Sequence, residues 1–136
     1  MVTASEITTI TNTLFTHETD GYSVNLRGDT PFEGYMVGGE VAALVLTTDD
    51  QSLFPMTYTD RWLDKNKALL SNPEFYAGIW TDHDTGKVYV DISRNVTDLY
   101  TALAIAESRG ELAIWDVTNG KEIRTEVNQG VVTVAV

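Results

Sequence analysis

The sequence predicts an α+β fold: a largely antiparallel sheet with two or three helices packed on one face, in a single domain over residues 1–136. Three observations lead there. Apolar runs of strand length come in pairs about turn residues, so hairpins outnumber strand–helix alternations. The elements are short and closely spaced, with no internal repeat, low-complexity tract or linker. The composition is that of a core-forming chain: 136 residues, 43% hydrophobic and 21% charged. A chain of that length buries about two-thirds of its unfolded surface.

Residues 5–16 place Ile7, Ile10 and Leu14 at helical spacing, with Ser5 as the expected cap. Their threonines work against a helix, because β-branched side chains lose χ1 freedom there. "GYSVNLRG" (21–28) sets Tyr22, Val24 and Leu26 on one face and Ser23, Asn25 and Arg27 on the other, a half-buried strand bounded by glycines. "FEGYMVGG" (32–39) is a weaker strand, broken at Gly34. "VAALVLT" (41–47) is a continuous apolar run, which predicts a buried strand.

"TDRWLDKNKALLSNP" (59–73) predicts a helix capped by Thr59, with Trp62, Leu63, Leu69 and Leu70 on one face. Asn72-Pro73 ends it, since a residue before proline avoids helical dihedrals. "EFYAGIWTDHDTGKVYVDIS" gives two strands about a turn. "TDLYTALAIAESRG" (97–110) predicts a helix with Thr97 as cap, a stripe of Leu99, Leu103 and Ala106, and Gly110 as stop. "ELAIWDVTNGKEIRTEV" predicts a hairpin about Asn119-Gly120, and "VVTVAV" (131–136) a last strand.

The stretch "TDHDTGKVYVDIS" (81–93) gathers Asp82, His83, Asp84 and Asp91. An EF-hand loop needs acids at positions 1, 3 and 5, glycine at 6 and glutamate at 12. Counted from Asp82, the later places hold Gly86, Lys87 and Ser93. Zinc needs three or four ligands, and the chain offers His17 and His83 and no cysteine. Asp82, Asp84 and Asp91 therefore remain weak metal candidates. The turn reading accounts for more: Asp and Thr bond local backbone, and Gly86 supplies positive φ. Asp91 then faces outward while Val90 and Ile92 face inward. No catalytic residue and no cofactor are assigned.

The net charge is −11, with nine Lys and Arg residues. Non-specific nucleic-acid binding depends on such residues and is not expected. The acids are dispersed, and their reading divides between solubility and a surface that imitates nucleic acid or meets a basic partner. The absence of cysteine excludes disulfides and thiolate nucleophiles. The first residues lack a basic n-region and an apolar run, and no window reaches the length of a membrane span, so a cytoplasmic location is expected.

"GYMVGGE" (34–40) lacks the lysine of a P-loop and the spacing of a dinucleotide fingerprint, which leaves Gly38-Gly39 as a turn. Arg27, Tyr35, Lys87 and Arg94 are the candidate ligand-binding residues, a guanidinium fork and a ring for an anion or planar ligand. Trp80 and Trp115 are read as core or as one face of a self-association surface. The uncharged run at 130–136 is an edge hazard unless covered, which points to a homodimer or higher assembly.

The Gly78-x-Trp80-x-Asp82 pattern, Thr85-Gly86-Lys87-Val88-Tyr89-x-Asp91 and Leu112-Ala113-Ile114-Trp115-Asp116 together resemble small acidic proteins of actinobacterial phages and mobile elements, a group with no assigned activity. That resemblance covers about two-thirds of the chain and implies a mobile-element origin and a host-cytoplasm location. The expected function is a non-enzymatic accessory protein that binds a host or defence protein through an acidic surface. The alternatives are a small-ligand, nucleotide-like binder using Arg27, Tyr35, Lys87 and Arg94, and a metal-assisted hydrolase using Asp82, Asp84 and Asp91.

Overall fold

The computed structural model describes residues 1–16, 21–46 and 54–126. Within them the chain is α+β, with seven strands in one antiparallel sheet and four helices. The helices are α1 (Ala4–Thr16), α2 (Pro55–Lys65), α3 (Lys67–Leu70) and α4 (Leu99–Ser108). The strands are β1 (Gly21–Val24), β2 (Tyr35–Val37), β3 (Leu44–Leu46), β4 (Phe75–Asp82), β5 (Lys87–Val96), β6 (Ala113–Asp116) and β7 (Lys121–Arg124). Their order is β1-β4-β5-β2-β6-β7, and β3 pairs with β5 beside β2. The strand expected at 131–136, and the self-association surface placed on 130–136, lie outside the described residues.

Helix α1 begins one residue earlier than expected, and Thr3 rather than Ser5 caps it. Thr3 Oγ1 accepts from Glu6 N at 3.1 Å, while Glu6 Oε1 accepts from Thr3 N at 2.9 Å, a reciprocal capping box. These bonds, the backbone N–H of Thr3 first, hold the Glu6 carboxyl below its usual range. The threonines fit the helix because Thr9, Thr11, Thr13 and Thr16 donate their hydroxyls to carbonyls one turn back.

The helix expected at 59–73 starts instead at Pro55, whose fixed φ suits the first helical position. Thr59 is thereby drawn into the helix and fully buried. Asn66 interrupts the run: its φ is −106° and its Nδ2 donates to Trp62 O at 2.9 Å, so α2 and α3 are separate. In α4 the cap is Asp98, not Thr97. Asp98 Oδ2 accepts from the N and Oγ1 of Thr101, both at 2.8 Å, and its carboxyl is held below the usual range, chiefly by the Thr101 N–H. Asp98→Ala should lower the melting temperature, as circular dichroism would register.

Among the described residues, two apolar clusters hold the fold. The larger joins Ile7, Ile10 and Leu14 of α1 with Leu63, Leu70, Val24, Leu46, Phe75, Ala77, Ile79, Val88, Val90 and Ile92. The smaller joins Ala102 and Ala106 of α4 with Val37, Val96 and Ile114. Leu63 is wholly buried. Leu63→Ala should therefore cost about 2–5 kcal/mol in urea unfolding, from lost transfer energy plus the cavity left.

β1 is shorter than the expected 21–28. Asn25 takes the chain out of the sheet: its Oδ1 accepts from Arg27 N at 3.0 Å and Asp29 N at 2.9 Å. Gly28 completes the turn with φ +83°. β2 is trimmed to 35–37, and Gly34 must be glycine: φ is +81° and a Cβ would stand 2.7 Å from Asn95 Oδ1. β3 is not buried on both faces as its apolar run suggested. Leu46 is buried, but Val45 is 41% exposed.

Candidate functional site

The β4–β5 hairpin positions the site. Asp82 Oδ1 accepts from Asp84 N at 3.0 Å, Thr85 Oγ1 from Lys87 N at 3.3 Å, and Asp82 O from Gly86 N at 2.8 Å. Asp82 and Thr85 thus serve the turn. Its closing pair is Asp82 with Lys87, and counting outward sets Thr81 against Val88 and Trp80 against Tyr89.

Residues directly paired across strands share a face. Every strand residue of the larger cluster lies on one face of this register. The other face carries a row of Gly21, Trp80, Tyr89 and Val45, then a row of Ser23, Gly78 and Asp91. Trp80 is 41% exposed. Its ring stacks on Tyr89 with centroids 4.4 Å apart and planes 11° from parallel. With Val45 beside it, this is an apolar platform facing solvent. Trp115 is 48% exposed on the same face, opposite Met36. Neither tryptophan is core, the first of the two readings the sequence left open.

Beside the platform the sheet is hollowed. A Cβ on Gly78 would lie 2.6 Å from Asp91 Oδ1 and 3.1 Å from Ser23 Oγ, so the Asp91 side chain occupies space that only glycine leaves. Gly38 and Gly39, between β2 and β3, make room for Glu111 in the same way: a Cβ at Gly39 would be 3.0 Å from its Cγ and Cδ. Arg109 Nη1 donates to Gly38 O at 3.1 Å, and its Nη2 pairs with Glu40. Burial, with the nearby Glu111 charge adding to it, raises the Asp91 carboxyl to about 6. Gly78→Ala should displace that carboxylate and cost about 1–3 kcal/mol, measured by denaturant unfolding.

The metal candidates do not converge. Asp82 and Asp84 sit at the turn, whereas Asp91 pairs with Gly78 further along the hairpin, roughly 13 Å from Asp82 at the strand rise per residue. Among the described residues no group of three His, Cys, Asp or Glu could hold a metal ion. The ligand candidates are only partly brought together. Tyr35 and Arg94 are diagonal neighbours across β2 and β5, but Arg94 Nε is engaged by Glu74 Oε1 at 3.0 Å. Lys87 lies seven positions away on the same strand, roughly 23 Å. Arg27 is in the 25–29 loop rather than on a strand, with Nε 3.6 Å from Asp29 Oδ2.

Sequence reasoning missed Glu111, Ser23 and Val45, which join the site only through strand order. The Trp80–Tyr89 pair was within reach once the turn was placed.

Among the described residues, the fold and the site define an α+β protein with an exposed aromatic stack on the sheet face opposite the larger core, beside a half-buried acid. No protein-family model, curated protein or solved structure matches the chain. Among the described residues no helix is long and apolar enough to cross a membrane.

Proposed function

We propose that this chain is a non-enzymatic binding protein, an accessory protein of a phage or mobile element that holds a host or defence protein against the open face of its sheet. The observation that carries the reading is the Trp80–Tyr89 stack, solvent-facing on a sheet whose opposite face builds the core. Exposed aromatic surface is what protein interfaces select, and rigid rings lose little entropy on contact. Asp82 and Asp91 flank the stack, and the chain carries eleven more acids than bases. Such a face suits a partner that presents arginine or lysine among apolar side chains, since a cation gains from the ring face and the carboxylates together. The resemblance to phage and mobile-element proteins supplies the biological setting, the host cytoplasm.

The test uses a pair of extended peptides that differ only in charge. One alternates arginine with leucine, and the other alternates glutamate with leucine. The first should change tryptophan emission saturably, more weakly as salt rises, and the second should not. Equal responses, or none, would count against the reading.

A further inference from the structure

We propose, resting on the reading of the open sheet face as a docking surface, that the outer flank of α2 docks on the open face of a second copy of this chain. Thr59 and Leu63 turn α2 into the core, and Leu63 joins the larger cluster. On the flank they leave uncovered, Phe54, Tyr58, Arg61, Trp62 and Lys65 recur at the three- and four-residue steps that share one side of a helix. Tyr58 N donates to Phe54 O at 3.1 Å, which sets Phe54 one turn below Tyr58. Phe54 is 58% exposed and Tyr58 42%. Trp62 is half-buried, and Arg61 and Lys65 are exposed.

The acids of α2 are engaged elsewhere. Asp60 accepts from the hydroxyls of Thr8 and Thr11 on α1, and Asp64 pairs with Lys67. Arg61 and Lys65 make no ion pair among the described residues, whereas Arg27, Arg94, Arg109 and Arg124 each meet a carboxylate. The flank is therefore a cationic, aromatic stripe on a chain with nine bases against twenty acids. The open face has the complementary composition: Trp80, Tyr89 and Val45 offer apolar contact, with Asp82 and Asp91 beside them. Rings meet rings and two bases meet two acids. α2 lies on the core side of the sheet and the platform on the other, so one copy cannot close the contact on itself. The contact joins unlike surfaces of two copies, a heterologous arrangement that leaves one surface free at each end. Repulsion between two acidic chains is screened beyond about 8 Å at physiological salt, while the complementary groups meet at contact.

Sedimentation of the parent across about 10–500 µM, the weak range of a small interface, should show larger species as concentration rises. Two double variants each remove one surface: Arg61→Glu with Lys65→Glu on the helix, and Trp80→Thr with Tyr89→Thr on the sheet. Each, checked for folding by circular dichroism, should associate at least about tenfold more weakly than the parent. An equimolar mixture of the two should form a dimer that grows no further, through the helix of the sheet variant and the sheet of the helix variant. A monomeric parent, undiminished association of the folded helix variant, or a mixture that stays monomeric would each overturn the proposal. The arginine–leucine peptide keeps the two readings apart. A parent that binds the peptide and stays monomeric overturns the self-docking alone, and a parent that self-associates and ignores the peptide overturns the foreign partner alone.

Discussion

Asp91→Asn is expected to be more stable than the parent at neutral pH and to lose stability less steeply between pH 4 and pH 7. The folded-state carboxyl titrates near 6 against an ordinary value of 3.8, so the folded chain binds the proton more tightly than the unfolded chain does. Its favourable contribution is complete below about pH 4 and is lost as pH rises through 6. A shift of about two units corresponds to about 3 kcal/mol at full ionisation. The side chain is only half-buried, so about 1–2 kcal/mol is expected. The other shifted acids act in the opposite sense. Glu6, Asp98 and Asp116 are held low, Asp116 chiefly by the Asn119 side chain, and their contributions are lost on acidification. The parent-minus-variant difference in urea unfolding free energy, taken across pH, isolates Asp91. A difference that is flat with pH would mean that the carboxylate is solvated and the hollow beside Gly78 is open.

Replacing Trp80 and Tyr89 together with threonine should remove binding of the cationic peptide while the sheet persists. Threonine keeps the β-branched character that a strand favours. An exposed cross-strand aromatic pair contributes only about 0.2–1 kcal/mol to folding. Aromatic anchors at an interface contribute about 2 kcal/mol or more, or roughly thirtyfold in affinity. The two numbers should therefore separate: a small change in melting temperature beside a large loss of binding. If affinity falls only in proportion to stability, the stack serves the hairpin and not a partner.

What the sequence made legible was local. The hairpin at 82–87 was readable because Asp82, Thr85 and Gly86 each have a turn function that the structure shows as a specific bond or dihedral. The inward pair Val90 and Ile92 followed from period two, and Val88 is buried on the same face. Helix starts were misplaced where competing caps lay close together: Thr3 against Ser5, Asp98 against Thr97. The start of α2 was missed because Thr59 looked like a cap while Pro55, four residues earlier, fixed the first turn. The continuous apolar run at 41–47 promised burial on both faces, yet β3 leaves Val45 in solvent. The candidate site was mostly illegible for one reason. Ser23 meets Gly78 and Asp91 through the pairing of β1 with β4, and the Glu111 charge acts on Asp91 from the segment before β6; no local pattern encodes that strand order.

The most direct measurement is a hydrogen–deuterium exchange and amide chemical-shift footprint with the arginine–leucine peptide bound. Perturbation is expected to centre on residues 45, 78–82 and 87–91, with α1 and α4 unchanged. A footprint on the helices with the β4–β5 hairpin untouched would contradict it.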